Sequence, residues 1–211
     1  MKSLLKAGAA VLLAVSLSAC ASTGPASRAA MPDDTALGFV QPDYMIDSFT
    51  VSVPQSLVVN ERNTYYPRGD IVWRGDPLGD RHGQVKAMFE TALRNAAPHV
   101  QGTRPVRVDV QVTRFHALSE KARYTVGGVH DISFKMRLVD IETGQQIGAT
   151  KDVDADLDAL EGQSAIAADA RGETQKQRLI AHLAQVMTNE LTVPGGHVNA
   201  KLGLLQLIND I

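Results

Sequence analysis

The sequence predicts an α+β fold, a two-layer sandwich with a mostly antiparallel sheet and helices on one face. Two observations carry most of this. Val106, Val108, Val110 and Val112 alternate with Arg107, Asp109, Gln111 and Thr113, and Ile132, Phe134, Met136 and Leu138 repeat the same period of two. Strands of this kind bury one face and leave the other in water, which suits an antiparallel or mixed sheet. Two other stretches, one ending at Pro98 and one at about Thr192, carry apolar residues at helical spacing. The resulting order is strand, excursion, helix, strand, hairpin, helix, and it closes into two layers around one core.

The first strand is Ile46–Val53, with Phe49, Val51 and Val53 on one face and Pro54 as its end. Residues 55–78 hold two short apolar runs, Leu57-Val58-Val59 and Ile71-Val72-Trp73, around the turn-forming stretch Asn60–Asp70. They read as two short strands or an irregular excursion. Asp80 is the expected N-cap of the first helix, whose apolar positions are Val85, Met88, Phe89, Ala92, Leu93 and Ala96. Arg104–Leu118 is the cleanest strand. Asp131–Glu142 and Gln146–Leu157 form a hairpin about the turn signal Glu142-Thr143-Gly144-Gln145. The second helix runs from about Gly172 to Thr192, with Leu179, Ile180, Leu183, Val186, Met187 and Leu191 as its stripe, and Pro194-Gly195-Gly196 breaks it. Val198, Leu202, Leu205 and Ile208 recur at helical spacing in a tail expected to fold back on the domain, with docking into a partner as the alternative.

Residues 1–19 read as a secretory signal peptide: Lys2 and Lys6, then an apolar run, then small residues. The run is shorter than the roughly 20 residues of a spanning helix. Residues 20–40 are small, polar and aperiodic, a tether with a root-mean-square reach of roughly 25 Å. Residues 41–194 form the α+β domain and 195–211 the C-terminal helical tail. Without residues 1–19, 192 residues remain, with 19 basic and 23 acidic side chains and a net charge of −4. This balance argues against nucleic acid, or an anionic membrane, bound through general electrostatics. At 44% hydrophobic and 21% charged residues, the chain has the composition of a folded globular protein.

Cys20 is the only cysteine. An unpaired thiol is a liability in an oxidising compartment. Leu17-Ser18-Ala19-Cys20 resembles the lipobox of bacterial lipoproteins. That resemblance implies cleavage before Cys20, a diacylglycerol on its sulfur and an acylated amino terminus, which together anchor a protein durably. Ala21, where retention in the inner membrane usually calls for Asp, implies a periplasm-facing position on the outer membrane.

The stretches Ile46-Asp-Ser-Phe-Thr-Val-Ser-Val53, Val106-Arg-Val-Asp-Val-Gln-Val-Thr-Arg-Phe115 and Leu138-Val-Asp-Ile-Glu-Thr-Gly-Gln-Gln-Ile147 follow the lipobox and tether in order. Over about residues 46–157 this resembles small Gram-negative envelope lipoproteins of uncharacterised families. More distantly, it is similar to transporter-auxiliary and assembly lipoproteins with a β-α-β-β core. The resemblance implies a non-enzymatic envelope role and carries over no catalytic residue.

The remaining constellations have plain readings. Asp152, Asp154, Asp156 and Asp158 are spaced like calcium ligands, but counting from Asp154 the sixth position is Ala159 and the twelfth Ala165. They read instead as the solvated face of a strand, which discourages edge pairing. No histidine pair has i,i+4 spacing; His116 and His130 become neighbours only if their strands pair. Gly127-Gly128 reads as a loop rather than a phosphate cradle. Ser119 and Ser164 lack a nucleophile-elbow context, and Glu120, Lys121 and Arg123 read as a polar loop. No enzyme activity, cofactor or metal ligand is expected.

Tyr65-Tyr66-Pro67 with Trp73 is the one aromatic concentration. It reads either as a protein- or lipid-contacting edge or as a cap on the core. The expectation is a lipid-anchored binding or assembly module that contacts another envelope protein through a strand edge and this excursion. A carrier of lipid or a small apolar ligand is the alternative, and an envelope hydrolase the third.

Overall fold

The computed structural model describes residues 43–203 and 206. The signal peptide, Cys20 and the tether lie outside the described residues. Within them the chain is an α+β two-layer sandwich. Its strands are β1 (Tyr44–Ser52), β2 (Ile71–Val72), β3 (Arg104–His116), β4 (Val129–Asp140), β5 (Gln146–Asp154) and β6 (Leu157–Asp158). Its α-helices are α1 (Arg81–Ala96), α2 (Glu120–Arg123), α3 (Gly162–Ala170) and α4 (Gln175–Thr192). The sheet order is β1-β3-β4-β5. β1 and β2 both run parallel to β3, while β3-β4, β4-β5 and β4-β6 are antiparallel. Beyond the end of β1 the short β2 lies beside β3, and beyond the end of β5 the short β6 lies beside β4.

α1 and α4 pack on one another and on the apolar face of the sheet. Asp80 caps α1 as expected, accepting from Gly83 N at 3.0 Å. Phe89 meets Phe134 edge-on at 5.4 Å and Phe115 at 6.3 Å. Around them Met88, Leu93, Leu179, Leu183, Met187 and Leu191 are completely buried. At about 1.5–3 kcal/mol per buried aliphatic or aromatic side chain, this layer is the main source of stability.

Three bulges modify the period of two. The register slips at Asp47 in β1 and at Thr113 in β3, so the inward set changes parity from Val112 to Phe115. In β5 the slip falls between Ile147 and Lys151, where Gly148 has φ +67°. Both edge strands of the main path are therefore bulged, which makes each a poor template for adding a foreign strand.

Several sequence expectations change. Of the two short strands read in the excursion, only Ile71–Val72 forms one; Val59 makes a single bridge to Ile71. The third long strand stops at Asp154 and resumes as β6. Glu120–Arg123 is a helical turn capped by Ser119, not a loop. α3 was not expected at all; its stripe is only alanines. Asp156 is buried rather than solvated. It accepts from Ile132 N at 3.2 Å, from Asn199 Nδ2 at 3.1 Å and from Gln206 Nε2 at 2.6 Å, while Asp156 N donates to Asn199 Oδ1 at 2.9 Å. This clamp draws the tail back onto the domain. Through Gly203 the tail is extended and turned rather than helical, because Asn199 is tied to Asp156 and Gly203 takes φ +76°. Among residues 204–211, only Gln206 is described.

Replacing Asn199 with Ala removes two bonds from a buried carboxylate and backbone amide. Urea unfolding is expected to show a loss of about 1–3 kcal/mol; an unchanged midpoint would show that the tail contributes nothing to the domain.

Candidate functional site

The excursion closes into a cap at one end of the sheet. Asn60 N donates to Ile71 O at 2.9 Å, Asn60 Nδ2 to Arg68 O, and Arg62 N to Asn60 Oδ1 at 2.9 Å, so residues 60–71 form a pinched loop. The loop sits on α2: Ser119 Oγ donates to Thr64 O at 2.6 Å and Lys121 N to Asn63 Oδ1 at 2.8 Å. Lys121 Nζ lies 4.3 Å from the centre of the Tyr65 ring.

A buried cation fixes the base of the cap. Arg81, only 4% exposed, binds Glu61 through Nε at 2.6 Å and Nη2 at 3.1 Å. Its Nη1 donates to Asp76 O, Pro77 O and Gln84 Oε1 at 3.1, 3.2 and 2.7 Å. The Arg81 bond holds the Glu61 carboxyl below its ordinary value. Arg74 bridges outward, to Glu61 O at 2.8 Å and to Glu120 Oε2 at 3.1 Å. Beyond it Arg123 and Tyr124 both bind Asp169, at 2.9 and 3.1 Å. A polar hollow of about 240 Å³ lies among these side chains and the start of α4.

Tyr65 and Tyr66 stand 51% and 45% exposed on the cap, and Tyr124 and Val126 are exposed on the adjoining segment. Trp73 does not join them. It is 1% exposed, packs edge-on against Phe115 at 5.8 Å and donates its indole N–H to Asp76 Oδ2 at 2.8 Å. Trp73 is therefore not a surface contact residue, contrary to the sequence expectation; it seals the core beneath the cap. Sequence reading missed Glu61, Arg74, Arg81 and Lys121 as parts of this site. The only local signal was Ser119 followed by Glu120, a helix N-terminus pattern.

His116 and His130 do come onto paired strands, but they make no common site. His116 Nε2 donates to Pro67 O at 2.9 Å, so Nδ1 accepts from Arg114 Nη2 at 3.2 Å. Its ring also meets Tyr66 edge-on at 5.9 Å. His130 Nδ1 accepts from Leu118 N at 3.3 Å. Burial, reinforced by the Arg114 guanidinium, pushes His116 down to about 4. Burial, with Arg178 and Arg123 nearby, takes His130 to about 3. Asp152 binds Lys135 while Asp156 is buried, so the aspartate row holds no common calcium loop. Gly127 is a loop glycine: at φ +74° a Cβ would stand 1.7 Å from Glu161 Oε2. Among the described residues, no group of three or more His, Cys, Asp or Glu could hold a metal ion. Nor is any helix there long and apolar enough to cross a membrane.

The opposite face of the sheet carries a second groove, of about 670 Å³, lined by Thr50, Ser52, Gln111, Lys135 and Arg137 among others. Its centre is Asp109, which accepts from Thr50, Arg107 and Arg137. The groove is polar, and its central carboxylate is already fully engaged within the fold.

Residues 44–207 match the model of a family of unknown function, DUF6778. The chain belongs to this family. No curated protein matches it. Among solved structures it is similar to a Xanthomonas campestris protein of the DUF330 family, at 9% identity and a TM-score of 0.42, covering 74% of this chain and 89% of that one. A candidate lipoprotein from Caulobacter crescentus aligns at 18% identity and a TM-score of 0.28, covering 67% and 86%. A PelC dodecamer from Paraburkholderia phytofirmans aligns at 10% identity and a TM-score of 0.30, covering 69% and 90%.

The histidines set a pH dependence with a defined sign. Both are held below the ordinary value of about 6.5, so the unfolded chain binds more protons than the folded one as pH falls from there. Stability is complete above about pH 6.5 and declines as pH falls toward the folded values of about 4 and about 3. The carboxylate shifts act lower, below the ordinary carboxylate values. Thermal melts should therefore fall steadily between pH 6.5 and 4.5; a flat profile over that window would contradict the burial of both rings.

Proposed function

We propose that this protein is a lipid-anchored, periplasm-facing lipoprotein of the outer membrane, and that it is a non-catalytic module docking another envelope protein on its aromatic cap. The anchor is supported by Leu17-Ser18-Ala19-Cys20 behind an apolar run with basic residues at its start. The contact reading is carried by one observation: Tyr65 and Tyr66 are held out in water by a loop whose backbone is pinned at both ends. Exposed aromatics on a rigid frame lose little entropy on binding and favour interfaces.

The cap stands at one end of the sheet. The described chain enters at Tyr44, beside Arg104 at the start of β3, while the cap is joined to β2, beside Phe115 and His116 at its far end. The intervening length of β3 is on the order of 40 Å. The carrier reading needs an apolar space between sheet and helices; there the described side chains of α1, α4 and the sheet fill the layer. His116 Nε2, His130 Nδ1 and Ser119 Oγ are each bonded to a backbone group, which favours the non-catalytic reading over a hydrolase.

Cys20→Ala is expected to move the protein from the membrane to the soluble envelope fraction, with loss of acyl mass; unchanged membrane association would refute the anchor. In the acylated protein, Tyr65→Ala is expected to lower recovery of an envelope partner by crosslinking about tenfold or more, with an unchanged melting temperature. Equal recovery would refute the cap as the contact.

A further inference from the structure

The charges around the cap are not balanced. Its three carboxylates are already engaged, Glu61 by Arg81 and Arg74, Glu120 by Arg74 and Asn63, and Asp70 by Val58 N. Arg123 is tied to Asp169. Arg62 and Arg68 are both exposed and flank Tyr65 and Tyr66 in the loop, and no carboxylate lies within ion-pair distance of either guanidinium among the described residues. Lys121 stands over the Tyr65 ring with its charge likewise unneutralised. Three cations thus share the cap with two exposed tyrosines on a chain whose formal net charge is −2.

We infer that the cap recognises an acidic protein surface, one that offers carboxylates to Arg62, Arg68 and Lys121 around an apolar seat for Tyr65. This inference rests on the contact reading above and names the chemistry of the partner's face. Each part has a physical reason. The guanidinium fork pairs with a carboxylate through two parallel bonds. The tyrosines supply desolvated area, and the cations at the rim supply orientation and rate of encounter. The rest of the chain is net acidic, so general electrostatics do not draw an acidic surface to it. The engagement of guanidinium forks by paired carboxylate oxygens favours an acidic protein face over a lipid surface.

The test places a photocrosslinking amino acid at Val126, exposed on the segment adjoining the cap, of the acylated full chain in intact envelopes, and identifies each adduct and crosslinked peptide by mass spectrometry. Variants Arg62→Glu with Arg68→Glu, and separately Tyr65→Ala, are compared at low and high salt. Both arginines are exposed, and a melt confirms that the variants are folded. The expected result is one protein adduct whose crosslinked peptide is rich in Asp and Glu. Its yield should fall about tenfold or more on charge reversal and fall with added salt. Replacing two carboxylates of that peptide with Lys should restore capture by the reversed variant. A protein adduct that depends on Tyr65 but not on charge or salt would overturn the acidic partner and leave the contact reading standing. An adduct to phospholipid would overturn it in favour of a membrane surface. No adduct in any sample would overturn both readings.

Discussion

The Arg81–Glu61 ion pair is the constraint on which the functional end of this protein depends. Arg81 opens α1, and its guanidinium is buried at the junction of helix, excursion and core. A buried guanidinium is costly unless its donors are met. Here Glu61 takes two of them, and the carbonyls of Asp76 and Pro77 with Gln84 take the third nitrogen. Glu61 lies in the loop that carries Tyr65 and Tyr66, so meeting the needs of Arg81 also fixes where the tyrosines stand. Arg74 passes the same constraint to α2 through Glu120. Loss of the Glu61 carboxylate would leave a half-satisfied cation at the base, at a cost on the order of 3 kcal/mol.

The sheet makes this end possible by its polarity. β1 carries the chain away from its entry point, and the excursion begins where β1 ends. The chain then returns as β2, in line with the end of β3. The long connection is thereby confined to the end remote from the entry, with Trp73 sealing the core beneath it. At the two edges the bulges near Asp47 and Gly148 discourage strand addition. The protein thus exposes side chains rather than backbone for contact, and a side-chain surface can be read by shape and charge.

Much of the architecture was legible in the sequence. The valine ladder of β3, the hairpin about Gly144 and the stripe of α4 each repeat over enough residues for the period to be counted. What escaped depends on partners far away in the chain. A bulge at Thr113 is one extra residue whose existence is defined by the opposite strand, and α2 is too short to show any period. Asp156 belongs to a visibly acidic row, yet its burial follows from Asn199, 43 residues on. The candidate site was half legible: Tyr65-Tyr66 marked the place, but their separation from Trp73 was not visible, because the indole is drawn inward by Asp76. Arg81 looked like an ordinary first-turn residue, since nothing local indicates that Glu61 lies against it.

A rigid cap held by Arg81 is most directly tested by amide hydrogen exchange. The amides of Asn60, bonded to Ile71 O, and of Lys121, bonded to Asn63 Oδ1, report on the loop and on its seat. Both should be protected in the native protein and lose at least about tenfold protection in Glu61→Ala, while Val110 in the centre of the sheet keeps its own. Rapid exchange of both amides in the unmodified protein, or unchanged protection in the variant, would contradict a cap fixed by this ion pair.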